Sequence, residues 1–290
     1  MKKRKAKATR NGLRGAFARK HRGRKPALVA YVTAGDPSLR FTEKLVLRLA
    51  EAGADVIELG VPFSDPIADG PVIQRASERA LHARTQLTDV LKLAARIRRK
   101  SAVPLVLFSY YNPVLQLGLE RFAERAAAAG VNGVLITDLT PEEAREHIRV
   151  MRRHGLDTVF LAAPTSTPAR LRAIARLSRG FVYLISRRGV TGPAYALTRE
   201  RVRASAGRAA DAFGEIKGMV RRLRRLTRLP IAVGFGIARP EQVAALNGVA
   251  DGVVVGSALV ECCERARGEK ALRAAAELVA KLKAAGNVNR

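Results

Sequence analysis

Three carboxylates, Glu58, Asp65 and Asp69, lie within the short stretch VIELGVPFSDPIADGPVIQ at residues 56–74. They stand out because the chain is strongly basic, with 53 Lys and Arg residues, 25 Asp and Glu residues and a formal net charge of +28. The Pro and Gly residues of this stretch disfavour a helix or a long strand, so they predict a loop. Carboxyl groups held in place there could act as general acids or bases.

Each of the two outer carboxylates has a structural alternative. Glu58 closes an apolar run typical of a β-strand, and a carboxylate facing inward from a strand is costly to bury without a partner or a role. This favours a functional Glu58, with a buried arginine partner as the alternative. Asp69 is followed by Gly70 and Pro71, so it could instead only shape a turn.

Eight short runs rich in Val, Ile and Leu alternate with longer segments of helical periodicity. Continuously apolar strands are typical of a parallel sheet covered on both faces. Eight strand–helix units in a chain of 290 residues predict an α/β fold, a (β/α)8 TIM barrel, with a doubly wound open sheet as the alternative. The predicted strands cover residues 27–32, 55–59, 104–110, 132–137, 157–161, 181–185, 230–235 and 251–256.

The barrel prediction also locates the functional face. Active sites of such barrels lie at the C-terminal ends of the strands and in the loops that follow. Glu58 lies near the end of the second predicted strand, and Asp65 and Asp69 lie in the loop after it. We therefore expect all three carboxylates on the functional face.

Glycine-containing stretches, RRGVTG, GFGIA and GSALV, follow the last three predicted strands. Backbone amides that no side chain covers can approach an anion, and the loops after strands seven and eight of such barrels commonly bind phosphate with a helix N-terminus. Each glycine alone could serve a turn or close packing. Together, Gly192, Gly236, Gly256 and Ser257 are predicted to bind a phosphate group.

Composition indicates the cellular location and the domain organisation. We recognise no transmembrane-length apolar run and no secretory signal, so a soluble, cytoplasmic protein without membrane contact is expected. We predict a basic disordered extension at residues 1–12 and a single barrel catalytic domain at residues 13–290. Cys262 and Cys263 are interpreted as helix-packing residues, because adjacent residues of a helix cannot form a mutual disulfide. No metal site is predicted.

The N-terminal region is the most basic part of the chain. Residues 1–25 contain twelve Lys or Arg and no acidic residue. Such a run is typical of a solvated, frayed tail, with a loose attraction to nucleic acid as the functional alternative. Because residues 1–12 contain no aromatic side chain to stack on bases, nucleic-acid binding is expected to be non-specific at most.

Seven stretches, in order along the chain, carry a family resemblance: YVTAGDPS, DVIELGVPFSDPIADGPVIQRA, YYNPVLQLGLERF, DLTPEEA, YLISRRGVTG, VGFGIARPEQV and DGVVVGSALV. On these stretches the chain resembles the alpha subunit of tryptophan synthase. The resemblance implies a carbon–carbon lyase that cleaves indole-3-glycerol phosphate to indole and glyceraldehyde 3-phosphate by a retro-aldol reaction. It also implies no cofactor in this chain, and a pyridoxal-phosphate-bearing beta subunit that receives the indole, in an α2β2 tetramer.

The resemblance implies roles for individual residues. Glu58 matches the catalytic glutamate that handles the proton at indole C3 and the glycerol hydroxyl proton. Asp69 matches the aspartate that faces the indole nitrogen. Tyr183 matches a tyrosine near the glycerol portion of the substrate, and Thr191 matches a lid threonine that meets the aspartate when the loop closes.

Other matched positions are expected to line the indole pocket or to contact the partner. Tyr110 and Phe235 match pocket residues, although core packing would explain each of them equally well. Asp65, Pro66 and Asn112 match positions that face the beta subunit. Stability of the loop alone is the alternative for these three.

The chain departs from the family pattern at several places. Ala238 replaces a serine near the expected phosphate, and Arg188 replaces a small residue beside the lid. The segment 193–228 is longer than usual, which bears on lid closure and on docking of the beta subunit. A free-standing indole-3-glycerol phosphate lyase and another phosphosugar-binding barrel enzyme are the alternative functions.

Overall fold

The computed structural model describes residues 12–21, 25–185, 199–234 and 236–286. The strands of this part of the chain are β1 Ala27–Thr33, β2 Val56–Gly60, β3 Leu105–Ser109, β4 Gly133–Ile136, β5 Asp157–Val159, β6 Leu161–Ala162, β7 Val182–Ile185, β8 Ile231–Gly234 and β9 Gly252–Val255. The helices are α1 Leu13–His21, α2 Leu39–Glu51, α3 Pro71–His82, α4 Leu87–Lys100, α5 Tyr111–Leu117, α6 Leu119–Ala128, α7 Arg145–Arg153, α8 Pro168–Leu177, α9 Arg199–Leu226, α10 Pro240–Ala244, α11 Ser257–Arg265 and α12 Gly268–Ala285.

The strands form one parallel sheet in the order β5-β4-β3-β2-β1-β9-β8-β7-β6. Strands β5 and β6 are the two halves of the fifth predicted strand, separated only by Phe160. The first half pairs with β4 and the second half pairs with β7. Because both ends of the strand order belong to one segment, the sheet closes on itself. This confirms the (β/α)8 barrel and excludes the open sheet.

Apolar side chains form two layers, one outside the strands and one inside the barrel. The outer layer packs the strands against the helices and includes Leu49, Ile97, Leu107 and Phe122, all fully buried. The inner layer fills the barrel, because alternate residues of a strand point to opposite faces of a sheet. Inward-facing members of the described strands include Val29, Val56, Val106, Leu135, Val159, Ala232 and Val254.

Helix α1 adds its own side chains to this inner layer. Leu13 and Phe17 are fully buried, and the Phe17 ring lies 5.1 Å from the Phe181 ring, between ring centroids. Gly252 makes room for this helix, since a Cβ atom there would lie 2.5 Å from Phe17 Cε1. Helix α1 therefore closes the barrel at the end where the strands begin.

This position corrects one expectation. A solvated, frayed tail was predicted for residues 1–25, and that prediction is wrong for residues 13–21, which form α1. The basic residues do not prevent burial because the apolar side chains share one face of the helix. Residues 1–11 lie outside the described part of the chain, so the predicted disordered extension at 1–12 stays a prediction for them.

The long segment 193–228 forms a helix of the barrel over most of its length, α9. Its C-terminal half presents buried apolar residues at helical spacing to the neighbouring elements. This part of the segment is therefore a helix that packs on the outside of the barrel. The buried residues are Ile216, Met219, Val220 and Leu223.

Helix α11 contains both cysteines as free thiols, partly buried and packed against the outer layer. This agrees with their interpretation as packing residues. In the described part of the chain, no helix combines the length and the apolar character that crossing a bilayer requires.

Candidate active site

Glu58 lies on β2 and points into the barrel near the end where the strands finish. Its side chain is 0% exposed, and neither carboxyl oxygen has a hydrogen-bond partner among the described residues. Burial raises the pKa of Glu58 to about 8, because the charged form loses its hydration. The carboxyl group is therefore protonated at neutral pH. The alternative of a buried arginine partner is not observed in the described structure.

Asp69 lies in the loop between β2 and α3, with 7% of its surface exposed. Its backbone N–H donates to Pro66 O at 3.0 Å, so it does take part in a turn. Its carboxylate nevertheless turns inward and accepts a hydrogen bond from the Tyr110 hydroxyl at 3.1 Å. Burial raises the pKa of Asp69 to about 6, and the hydrogen bond from Tyr110 opposes this rise. Asp69 is therefore mostly ionised at neutral pH.

Tyr110 holds the loop that carries Asp69. Its hydroxyl also accepts a hydrogen bond from the Ala68 backbone N–H at 2.9 Å. Its ring stacks on Phe63, with ring centroids 5.0 Å apart. Tyr110 was predicted from the resemblance to line a pocket, with core packing as the alternative. Its 3% exposure and these contacts give it a further task, which is to fix the loop.

Tyr183, a predicted site residue, lies on β7 at the same end of the barrel. Only 7% of its surface is exposed, and its hydroxyl lies against the backbone of Gly234, where a Cβ atom would come within 2.4 Å of it. Burial and, next, the charge of Glu58 raise its pKa well above the usual value. Tyr183, Glu58 and Asp69 therefore form one electrostatic cluster.

Tyr31 belongs to the same cluster, although sequence reasoning did not single it out. It pairs in register with Glu58 across β1 and β2. Its hydroxyl lies against Gly60, where a Cβ atom would come within 2.2 Å, and its ring packs edge-on against Phe108 at 5.2 Å between centroids. Burial and the charge of Asp69 raise its pKa well above the usual value. Gly60 gives the Tyr31 side chain room, but the sequence alone does not show which residue Gly60 faces.

The loop after β8 uses part of its backbone internally. Gly236 has a φ of +70°, a left-handed conformation that favours glycine. The Gln242 side chain accepts hydrogen bonds from the N–H groups of Ala238 at 2.8 Å and Arg239 at 2.9 Å, and donates to Gly236 O at 3.0 Å. The amides of Ala238 and Arg239 are thus already engaged within the loop.

Gly256 and Ser257 lie at the start of α11, and both are partly exposed. No side chain of the described residues caps this helix. The Leu259 N–H donates to Gly256 O at 2.8 Å, which leaves the N–H groups of Ser257 and Ala258 as the first-turn donors for an anion. Three predicted site residues, Thr191, Gly192 and Phe235, lie outside the described residues, as does Arg188.

The predicted partner contacts share one rim of the barrel. Asp65 and Asn112 are exposed, and Pro66 is partly exposed. Two large apolar side chains accompany them on this rim, Ile67 with 77% and Leu115 with 54% exposure. An exposed Ile or Leu taken singly does not indicate a partner, so the contacts of Asp65, Pro66 and Asn112 with a partner stay a prediction.

The fold and the cluster define a class of protein: a (β/α)8 barrel enzyme with buried titratable side chains gathered near the C-terminal ends of its strands. A sequence profile of the family described as tryptophan synthase alpha chain matches residues 17–287. The tryptophan synthase alpha chain of Solibacter usitatus is 54% identical over 244 residues, which cover 84% of this chain and 86% of that protein. The one of Geobacter sulfurreducens is 50% identical over 272 residues, with 93% and 97% covered.

Solved structures agree with these relatives. A structure of Mycobacterium tuberculosis tryptophan synthase superposes with a TM-score of 0.83 at 35% identity, covering 96% of this chain and 98% of that chain. Tryptophan synthase subunit alpha from Legionella pneumophila superposes with a TM-score of 0.81 at 35% identity, covering 96% and 98%.

The chain belongs to the tryptophan synthase alpha chain family. It is a lyase of tryptophan biosynthesis that catalyses the cleavage of indole-3-glycerol phosphate. This confirms the family and the activity expected from the sequence. Membership also implies a beta subunit as partner.

Proposed function

We propose that Glu58 and Asp69 are the catalytic residues of this cleavage. The observation that carries the proposal is the buried carboxyl group of Glu58, which has no hydrogen-bond partner among the described residues and is protonated at neutral pH. As an acid it donates a proton to indole C3, and the bond between C3 and the glycerol chain breaks. As a base it then accepts the proton of the hydroxyl group on the departing carbon, which becomes the aldehyde. Glu58 donates one proton and accepts one, so it ends the reaction in its starting protonation state.

Asp69 stabilises the ring during this step. Protonation at C3 makes the indole an indolenine and leaves positive charge at the ring nitrogen. An ionised Asp69 that accepts the ring N–H hydrogen bond stabilises this charge most in the transition state, where it contributes to the rate.

The remaining site residues bind the substrate. Tyr183 contacts the glycerol portion, Tyr110 and Phe235 line the indole pocket, and Thr191 acts in the lid. The N–H groups of Ser257 and Ala258, which no side chain of the described residues caps, support a phosphate position at the start of α11. The phosphate-binding residues are Gly192, Gly236, Gly256 and Ser257.

The partner is proposed to cover the rim formed by Asp65, Pro66 and Asn112, and the exposed Ile67 and Leu115 extend this surface. The assembly is an α2β2 tetramer in the cytoplasm, and the beta subunit holds the pyridoxal phosphate and receives the indole. This chain itself uses no cofactor, and any attraction to nucleic acid is non-specific.

Glu58→Gln tests the catalytic proposal. It should lower indole release from indole-3-glycerol phosphate by about 10²- to 10⁴-fold, the usual contribution of general acid–base catalysis. Glu51→Gln, at an exposed position of α2, is the control and should retain activity. Unchanged turnover in a folded Glu58→Gln variant would remove Glu58 from the mechanism.

A second assay tests the partner. Indole release should rise when the cognate beta subunit is added, and Ile67→Asp or Leu115→Asp should reduce this rise without changing the activity of the isolated chain. Equal activity with and without the beta subunit would instead favour a free-standing lyase.

A further inference from the structure

Helices α3 and α11 are joined by a network of ion pairs on the outside of the barrel. Arg75 of α3 makes a two-point contact with Glu264 of α11, Nε to Oε1 at 2.7 Å and Nη2 to Oε2 at 2.8 Å. Arg79, one turn further along α3, reaches the same carboxylate, Nη1 to Oε1 at 3.0 Å. A carboxylate held by two guanidinium groups in this way has a defined position, because the planar fork fixes orientation as well as distance.

The network extends to the loop after β1. Arg79 also makes a two-point contact with Asp36, Nε to Oδ1 and Nη2 to Oδ2, both at 2.8 Å. Asp36 is 6% exposed, so the ion pair between Arg79 and Asp36 is the more buried part of the network. The hydrogen bonds from Arg75 are the main cause that lowers the pKa of Glu264 to about 2. The carboxylate stays ionised, and the network intact, across the working pH range.

A small apolar cluster lies on the barrel side of this network. Val72, Ile73 and Ala76 of α3 pack with Val260 of α11 around Tyr31. All five side chains are buried. The two helices are therefore held together by apolar packing on the barrel side and by ion pairs on the outer side.

In the proposed function, the start of one helix lies near the indole ring of the substrate and the start of the other lies near its phosphate. Helix α3 begins at Pro71, two residues after Asp69, and α11 begins at Ser257. We propose that Arg75, Arg79 and Glu264 are positioning residues that set the separation between Asp69 and the phosphate-binding turn of α11. This inference rests on the proposed function, in which Asp69 meets the indole ring and Ser257 the phosphate.

A fixed separation matters only to a ligand that spans it. A substrate with an indole ring at one end and a phosphate at the other binds both positions at once, so a shift of one helix weakens its binding and its alignment together. Indole alone, or glycerol 3-phosphate alone, occupies one position and can follow the helix that binds it. Loss of the network should therefore affect the spanning ligand selectively.

The chain contains a matched control network. Glu43 of α2 is also held by two cations, Arg96 Nε at 2.8 Å and Lys100 Nζ at 2.7 Å, both on α4. The Glu43 side chain is 12% exposed against 27% for Glu264, so its loss disturbs packing at least as much. Neither α2 nor α4 carries a proposed substrate contact.

The experiment compares Glu264→Gln, Glu43→Gln and the unmodified chain. Calorimetry measures the binding of a non-cleavable analogue in which a three-carbon chain joins indole to phosphate, and NMR titration measures indole and glycerol 3-phosphate separately. Glu264→Gln should weaken the analogue by roughly tenfold or more and each fragment by less than about twofold, with kcat/KM falling in parallel with the analogue. Glu43→Gln should leave all three affinities within about twofold. Arg75→Lys, which keeps the charge but not the two-point contact, should repeat the Glu264→Gln pattern and serves if that variant does not fold.

Each other outcome counts against the inference. Equal losses for the analogue and a fragment would indicate damage to one binding position, and equal losses in Glu43→Gln would indicate a general effect on stability. An unchanged analogue affinity in both network variants would remove the positioning role alone. Failure of the unmodified chain to bind the analogue would overturn the proposed function as well, which keeps the two failures distinct.

Discussion

The Tyr110 hydroxyl donates to Asp69 Oδ2 at 3.1 Å while it accepts from the Ala68 backbone N–H at 2.9 Å. One side chain from the end of β3 thus fixes both the backbone and the carboxylate of the loop after β2. A donor to an ionised carboxylate stabilises the charged form. Tyr110 therefore limits the rise in pKa that burial imposes on Asp69.

Removal of this donor should shift the acidic side of the activity profile. In Tyr110→Phe the ring still stacks on Phe63, but Asp69 loses the hydrogen bond, so its pKa should rise above about 6. The acidic limb of kcat/KM should move to higher pH, while the basic limb stays in place. A pH series of kcat/KM for both proteins checks this. Two unmoved limbs would show that Asp69 does not control the acidic limb.

The unmodified chain should itself show a bell-shaped profile of kcat/KM, which reports the pKa values of the free enzyme. Activity should rise as Asp69 ionises at a pKa of about 6 and fall as Glu58 loses its proton at a pKa of about 8. Measurement from pH 5 to 9 in one ionic strength gives both limbs. A profile that keeps rising through pH 8 would assign the ionised form of Glu58 to the rate-controlling step.

Glu58 should also lower the stability of the protein without substrate. Its pKa is about 8 when folded and near the ordinary 4.5 when unfolded, so the unfolded chain releases a proton that the folded chain keeps. Stability is lost as pH rises from about 4.5 to about 8, at up to about 1.4 kcal/mol per pH unit. Glu58→Gln should be more stable than the unmodified chain at pH 7. This stability advantage should be smaller at pH 5. Urea unfolding at both pH values measures this, and a difference independent of pH would contradict it.

The barrel could be predicted because its strands are continuous apolar runs, each followed by a helical segment. The division of the fifth strand at Phe160 could not. Nothing in the residues of DTVFLAA marks a break, because the break arises where the hydrogen-bond ladder passes from β4 on one side to β7 on the other. That exchange depends on closure of the whole sheet.

The carboxylates of the site could be predicted because a charged group among apolar or Pro and Gly residues is costly unless it has a role. Tyr31 carries no such signal. A tyrosine in an apolar strand is compatible with either face of the sheet, and its place beside Glu58 follows from the register between β1 and β2. Contacts across strands of this kind require the pairing offset, which one sequence does not contain.

Helix α1 could have been predicted from the spacing of its apolar residues, although the basic composition of the segment indicated a tail. Leu13, Ala16 and Phe17 have the i, i+3, i+4 spacing of a buried helical face, and all three are buried. Phe17→Ala should cost about 3–5 kcal/mol, as for other buried aromatic residues. Deletion of residues 1–12 is the control, and it should leave the unfolding free energy within about 0.5 kcal/mol. Urea unfolding measures the stability of both variants. A deletion that lowers the unfolding free energy as much as Phe17→Ala would contradict the assignment of α1 as the part that stabilises the barrel.

His147 of α7 is buried without a described polar partner. It is 1% exposed, neither ring nitrogen has a hydrogen bond among the described residues, and its ring packs edge-on against Tyr111 at 5.9 Å between centroids. Burial lowers its pKa from 6.5 to about 4. The folded protein therefore keeps this imidazole neutral at pH values where the unfolded chain binds a proton.

This difference should make the protein sensitive to mild acid. Because the pKa is lower in the folded state, stability is unaffected above pH 6.5 and falls as pH decreases towards about 4, by about 3 kcal/mol in total. His147→Phe keeps an aromatic ring against Tyr111 and should lose less stability than the unmodified chain between pH 7 and pH 5. His82→Gln, at an exposed position of α3, is the control and should follow the unmodified chain. Urea unfolding at pH 7, 6 and 5 compares the three, and parallel losses in all of them would show that other groups cause the acid sensitivity.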